Sequence, residues 1–209
     1  MRPEVPPPPE NKGANPQGKG LSPVANLLAE LPAKYIPAKS VTQIADELFT
    51  SMFVLNSDFA FKPVVGNSYW LYQKQGKFRL SLVSPEQWSE KVYGFCIGCC
   101  RLHEDISWTI ELTEQAASDE QFTRYLQIRR EQFEKNLQNA VTLETALPGY
   151  MEKLPFYQRM LTTVLTYSLK TSMNKSGIAA LTYDQANQEE TNPEKTILEK
   201  TGPKEDHQG

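Results

Sequence analysis

The segment 68–84, SYWLYQKQGKFRLSLVS, decides the fold. Before the Gln-Gly pair at 75–76, a period of two places Tyr69 and Leu71 on one face and Trp70 and Tyr72 on the other. After the pair, apolar residues at 78, 80 and 82 alternate with polar ones. Two alternating runs separated by a two-residue break that contains glycine are typical of a β-hairpin. We therefore expect one strand over 68–74 and a second over 77–84.

The same period recurs further along the chain, over 92–112. The alternation runs to about His103, breaks at the acidic pair 104–105 and resumes at Ile106. This pattern predicts a second hairpin. Together the two hairpins predict a four-stranded antiparallel meander, with one face packed under helices.

Apolar residues spaced three and four apart indicate four helices, two before the strands in the chain and two after them. They cover 21–31, a second segment from Ser40 as N-cap to about 56–58, 118–140 with Ser118 as N-cap, and 150–173 with its start near Pro155. We expect the last two helices to form an antiparallel hairpin, against each other or against the sheet. The fold class is α+β, with N-terminal helices and a C-terminal two-helix hairpin.

Composition divides the 209 residues into one domain between two tails. Residues 1–20 form a Pro/Gly-rich tail that we expect to be disordered, because it has almost nothing to bury. A single domain should cover 21–173. Residues 174–209 are expected to be a mostly disordered polar tail, although the apolar island at 178–183 has enough hydrophobic surface to dock.

Charge and composition exclude several classes of protein. The net charge of −3 and the pI near 5.6 lack the basic footprint of a DNA- or RNA-binding protein. The chain has no run of about 18 apolar residues, so no membrane span is predicted. The N-terminus has four consecutive prolines instead of the apolar core of a signal peptide. With three clustered cysteines and no paired framework, we expect a cytoplasmic protein.

The cysteines Cys96, Cys99 and Cys100, with His103, are metal-ligand residue types at short spacing. In a regular strand Cys96 and Cys100 point to one face while Cys99 and His103 point to the other, so the four cannot converge unless Gly98 marks a bulge. Buried cysteine is also a common small hydrophobe. We predict no metal and no cofactor, and a redox or metal role for the three thiols stays open.

Catalytic patterns are weak. His103 is followed by two acids, but residues at a hairpin tip are usually solvated. The chain contains neither a Gly-x-Ser-x-Gly nucleophile turn nor a phosphate-binding glycine loop. We predict no catalytic residue. The alternative interpretation is an enzyme or small-ligand-binding protein with a pocket between sheet and helices, near Arg101 and His103.

Aromatic residues are concentrated in the sheet segment, and an alternating sheet buries one face more easily than two. If the second face is open, Trp70 and Tyr72 form a platform there, with Arg79 as a flanking polar contact. The leading hypothesis is therefore a non-catalytic interaction module that binds a protein or peptide. If helices cover both faces, the platform does not exist. A homo-oligomer through the apolar C-terminal helices is a third possibility.

Three short motifs resemble domain-of-unknown-function family 2452, which occurs in bacteria and animals. They are Tyr69-Trp70-Leu71-Tyr72, the turn Ser84-Pro85-Glu86-Gln87-Trp88, and Asp105-Ile106-Ser107-Trp108. The resemblance covers about residues 60–112. It implies no activity, cofactor or catalytic residue, and the cysteine cluster is not part of the family pattern. The matching positions are of the kind that shape a fold or line a binding surface.

Overall fold

The computed structural model describes residues 36–149 and 151–191. The tail expected at 1–20, the helix expected at 21–31 and the last part of the expected C-terminal tail, 192–209, lie outside the described residues.

The first described helix, α1, spans Val41–Leu55 and confirms the helix expected after Ser40. Ser40 accepts a hydrogen bond from the Gln43 amide, and the Gln43 side chain accepts one from the Ser40 amide. This capping box satisfies two amides that the helix leaves without partners. The apolar stripe is buried, with Ile44 and Leu48 each 2% exposed.

Four antiparallel strands form one sheet, as expected for an α+β fold. They are β1 (Ser68–Lys74), β2 (Lys77–Ser81), β3 (Phe95–Leu102) and β4 (Trp108–Leu112), in the order β2-β1-β3-β4. This order differs from a sequential meander because β3 pairs with β1 and not with β2. The longer, more buried strands β1 and β3 occupy the centre, and the two five-residue strands form the edges, where short strands limit unwanted pairing.

A bulge interrupts the central pair. Leu71 pairs with Gly98 while Tyr72 pairs with Cys96, which leaves Ile97 as the extra residue of β3. Gly98 is needed here because a Cβ on it would lie 2.3 Å from the carbonyl oxygen of Glu111. The bulge that the sequence left open is therefore present, next to Gly98.

The second described helix, α2 (Glu90–Tyr93), lies between β2 and β3. Five further helices follow β4 in the described part of the chain. They are α3 (Glu114–Ser118), α4 (Glu120–Gln138), α5 (Leu143–Ala146), α6 (Phe156–Ser176) and α7 (Tyr183–Thr191). The N-cap of α4 is Asp119 and not Ser118, since Asp119 Oδ1 accepts from the Phe122 amide at 2.9 Å. Ser118 is the last residue of α3, and its hydroxyl donates to the carbonyl of Glu114 in the same helix.

The helices do not form the expected C-terminal hairpin. The main helix partner of α6 is α1, while α4 contacts α1, α3, α5 and α7. Composition explains the difference, because α6 buries ten residues and α4 buries only Phe122 and Leu137. A helix with so little apolar surface cannot pair along the length of α6, and the apolar face of α6 is largely used by packing within the chain.

The folded unit extends beyond the boundary expected at residue 173. Main-chain hydrogen bonds join Leu143 to Leu181 and Glu144 to Ala179, and Ala186 of α7 is 2% exposed. The apolar island at 178–183 therefore docks, and it brings α7 with it. Residues 174–191 are mainly helical where a mostly disordered polar tail was expected, and they bury Ile178, Ala179 and Ala186.

Among the described residues, no helix has both the length and the hydropathy needed to cross a membrane.

Candidate functional site

The outer face of the sheet, opposite the hydrophobic core, carries the three residues of the expected platform. Trp70 pairs with Cys99 of β3, and Tyr72 pairs with Arg79 of β2. Cross-strand partners share a face, so Trp70, Tyr72 and Arg79 lie together, as the alternation predicted. Their accessibility differs: Trp70 is half-buried, Arg79 is exposed and Tyr72 is only 3% exposed.

The connection between β2 and β3 covers Tyr72. The Tyr72 ring lies 5.6 Å from the ring of Trp88, which in turn stacks on Tyr93. The Tyr72 hydroxyl donates to the carbonyl of Val83 at 2.9 Å. Burial, and then the nearby Cys96 and Glu86, raise the pKa of Tyr72 to about 12. Tyr72 is thus a packing residue, and the part of the expected platform open to a partner is reduced to Trp70 and Arg79.

Arg79 also lines a small cleft beside this covered region. The cleft has a volume of about 290 Å³ and includes Asp58, Lys74 and Tyr93. Lys74 is already engaged, since its ammonium donates to the Val92 carbonyl at 2.6 Å. The cleft therefore offers two exposed cations, Arg79 and Lys77, beside one acid, Asp58.

A larger cavity lies at the turn between β3 and β4. We call it the turn cavity; it has a volume of about 700 Å³ and is lined by charged groups, among them Lys39, Glu47, Arg101, His103 and Asp105. Arg101 and His103 are the two residues of the alternative pocket expected from the sequence. The structure brings them to one cavity, together with Lys39, which precedes α1, and Glu47, which lies within it.

An ionic cluster forms one wall of the turn cavity. The Lys39 ammonium donates to Glu47 Oε2 and to Asp105 Oδ2, at 2.5 Å in both cases. The side chains of Lys39 and Asp105 are 9% and 14% exposed, and that of Glu47 is 25% exposed. Charges this far removed from water interact strongly, and losing one of them leaves the others uncompensated.

The two carboxylates are not equivalent. Burial raises the pKa of Glu47, and the hydrogen bond from Lys39 opposes this only in part. Burial also acts to raise the pKa of Asp105, but hydrogen bonds from Lys39 and Ser107 outweigh it and hold the pKa below its ordinary value. Burial acts to lower the pKa of Lys39, yet its two acid partners raise it overall. Glu47 is thus the carboxylate of the cluster that accepts a proton more readily.

Arg101 and His103 bring functional groups to the cavity that the cluster does not use. His103 Nε2 lies 2.9 Å from Thr109 Oγ1, a hydrogen bond that leaves the other ring nitrogen available. Arg101 is exposed on β3, and within the described part of the chain its guanidinium has no hydrogen bond or ion pair. A guanidinium without a partner is a ready donor for a carboxylate or phosphate.

The backbone of the turn is strained where it meets the cluster. Ile106 has a φ of 65°, a left-handed conformation that β-branched residues rarely adopt, and its side chain is 1% exposed. Such a residue costs on the order of 1–3 kcal/mol and persists only where its surroundings hold it. Here Asp105 Oδ1 accepts from the amide and hydroxyl of Ser107 while Oδ2 accepts from Lys39.

The motif analysis did not single out Lys39 and Glu47. They lie 66 and 58 positions from Asp105 in the chain, and no local motif connects them. One signal was available: Glu47 adjoins the buried Leu48 on a helix whose apolar stripe faces the core, so its carboxylate lies at the rim of that stripe. A charge at such a rim needs a partner.

The three cysteines are divided between the two faces of the sheet. Because of the bulge, Cys96 and Cys99 both pair with outer-face residues of β1, while Cys100 is buried in the core. Burial raises the pKa of the Cys100 thiol and, less strongly, that of Cys96. In residues 36–149 and 151–191, no group of three or more His, Cys, Asp or Glu side chains is placed to hold a metal ion.

Residues 39–130 match the model of a family described as a protein of unknown function, DUF2452. This match confirms the assignment that the motifs within residues 60–112 predicted. Trp70 and Arg79 lie within the matched segment, as do the five named residues of the turn cavity. No curated protein and no solved structure matches the chain.

Proposed function

We propose that this domain binds a small polar molecule in the turn cavity, and that Arg101 and His103 contact it. The observation that carries the proposal is a cavity of about 700 Å³ that contains an arginine with no partner in the described chain and a histidine with a free ring nitrogen. This volume is within the usual range for small-molecule sites. Perturbed pKa values on the adjoining cluster are also typical of functional sites.

The residues of the turn cavity have two roles: some contact the ligand, and others hold the cavity in shape. Arg101 and His103 supply donors to the ligand. Lys39, bound to Glu47 and Asp105, fixes the distance between α1 and the β3–β4 turn and so maintains the shape of the cavity. The strained Ile106 lies inside this support, where a looser turn would spread the contact groups apart.

A fragment screen observed by amide NMR tests the proposal. Polar fragments are expected to shift the amides of 101–109 and 39–47, and Arg101→Ala and His103→Ala should each weaken those hits at least tenfold. Arg79→Ala is the matched control, because Arg79 is also an exposed arginine of the same sheet and lies outside the turn cavity. Hits that persist unchanged in both cavity variants would refute the assignment.

A second candidate is an interaction surface for a protein or peptide on the outer face. It is favoured by the half-buried indole of Trp70 together with the exposed Arg79, two residue types that often dominate binding energy. The same NMR experiment with short peptides discriminates the two, because this candidate requires shifts around Trp70 and a loss of binding in Trp70→Ala. Shifts confined to the turn cavity would count against it.

A further inference from the structure

A second cavity adjoins the turn cavity. We call it the edge groove; it has a volume of about 320 Å³ and lies between α1, the free edge of β4, and α4. Its walls are mainly apolar, with Phe49 and Phe53 from α1, Ile110 and Leu112 from β4, and Leu126 from α4. Leu112 is 38% exposed, so the groove opens to solvent.

The two cavities share part of their walls. Glu47 and Thr109 line both of them. The polar cavity and the apolar groove are therefore neighbours on either side of these two residues, an arrangement that suits a ligand with one part in each. Their volumes each lie within or near the range of small-molecule sites, which fits a ligand with two chemically different parts.

The cation without a partner, and not the net charge of the cavity, indicates the sign of the polar part. Lys39 is held by two carboxylates, Glu47 and Asp105, which leaves one negative charge in excess, and Glu104 is a further acid exposed at the turn. Arg101 is the cation of the turn cavity without an acid partner among the described residues. Its guanidinium matches a carboxylate or phosphate in two-point geometry.

We propose that the ligand is a small amphipathic acid, with its anionic head at Arg101 in the turn cavity and its apolar body in the edge groove. This inference rests on the proposed function and specifies its ligand class. Head and body then contribute separately to affinity: the head through Arg101 and His103, the body through burial against α1 and β4.

Isothermal titration with soluble probes tests the two contributions. Octanoate carries head and body, acetate only the head, and octanol only the body; octyl phosphate compares a second acid group. We expect octanoate to bind at least tenfold tighter than acetate and at least tenfold tighter than octanol. Each buried methylene is worth about fourfold in affinity, so a body of several methylenes exceeds this threshold.

Matched variants locate each part. Arg101→Ala should weaken octanoate at least tenfold and leave octanol unchanged, whereas Arg79→Ala should alter neither. Leu112→Asn should weaken octanoate and octanol alike, because it removes apolar surface without adding a charge. Leu82→Asn should weaken neither, because Leu82 is also solvent-exposed (59%) but lies outside the groove. Both leucines are at the surface, so the substitutions leave the core intact.

The outcomes separate this inference from the proposed function. If acetate and octanoate bind equally and both depend on Arg101, the amphipathic ligand is refuted and the polar site stands. If octyl phosphate alone binds with tail and Arg101 dependence, the inference stands with phosphate as the head. If no probe shows Arg101 dependence at millimolar concentration, the anionic head is refuted, and absence of any Arg101-dependent fragment in the NMR screen refutes the proposed function as well.

Discussion

The outer face and the turn cavity use the same sheet in opposite ways. On the outer face, aromatic residues close together in the chain meet as the alternation predicted, but the β2–β3 connection covers Tyr72 and leaves little surface. In the turn cavity, charged residues far apart in the chain meet and stay next to an open volume. A conspicuous pattern in sequence is therefore not a guide to accessibility, since a fold uses its largest apolar groups for packing first.

Removing the centre of the ionic cluster should have the largest effect on stability. Lys39→Met keeps most of the side-chain volume but leaves Glu47 and Asp105 without their cation. We expect a loss of about 3 kcal/mol in the free energy of unfolding, measured by urea denaturation, because buried charges remain unpaired. Lys77→Met, at an exposed position of β2, is the control and should stay within about 0.5 kcal/mol of the wild type. If Lys39→Met and Lys77→Met lowered the free energy of unfolding equally, the ionic cluster would not support the turn.

The effect of Asp105→Asn on the free energy of unfolding should depend on pH. It weakens the bond to Lys39 but retains an acceptor for Ser107, so we expect a loss of roughly 2 kcal/mol at pH 7. The folded-state pKa of Asp105 is depressed, so the stability it contributes is present above the unfolded value of 3.8 and is lost as the pH falls through the lower folded value. The difference between variant and wild type should therefore narrow below about pH 3.8. A difference that stays constant from neutral pH into strong acid would contradict the depressed pKa.

On the outer face, Tyr72→Phe removes only the hydroxyl that binds the Val83 carbonyl. We expect a loss of about 1 kcal/mol, the usual value for one partly buried hydrogen bond. Tyr125→Phe is the control, because Tyr125 is exposed on α4 and should tolerate the change. Thermal unfolding of both variants provides the measurement. If Tyr72→Phe left the unfolding temperature unchanged, this hydrogen bond would not hold the β2–β3 connection over β1. Tyr72 would then again be a candidate residue of the binding platform.

The smallest effect is expected for Arg79→Ala. Arg79 is exposed and, among the residues that the structure describes, its side chain has no ion pair, so the free energy of unfolding should change by less than about 0.5 kcal/mol. Urea denaturation checks this value. A loss above about 1 kcal/mol would show that Arg79 stabilises the cleft with Asp58, and it could then no longer serve as the neutral control for Arg101→Ala.

Much of the fold was predictable because local patterns encode it. The Ser40 N-cap with its apolar stripe predicted α1, and the Gln-Gly break predicted the β1–β2 hairpin. The N-cap of α4 was misplaced by one residue, because a short helix ends where the longer one begins, and both Ser118 and Asp119 are good caps. The site was half predictable: Arg101 and His103 are near each other in the chain, whereas Lys39 and Glu47 reach them only through the packing of α1 on β4.

By itself, the sequence determined the fold class, the antiparallel hairpins, the first described helix and the resemblance to a family, because periodicity, turn residues and short motifs are local properties of the chain. The tertiary structure alone decided the strand order β2-β1-β3-β4, the covering of Tyr72 by Trp88, the docking of residues 178–191, and the meeting of Lys39 with Asp105. Those features depend on how separate elements share one core and on which charges must be paired when they leave water.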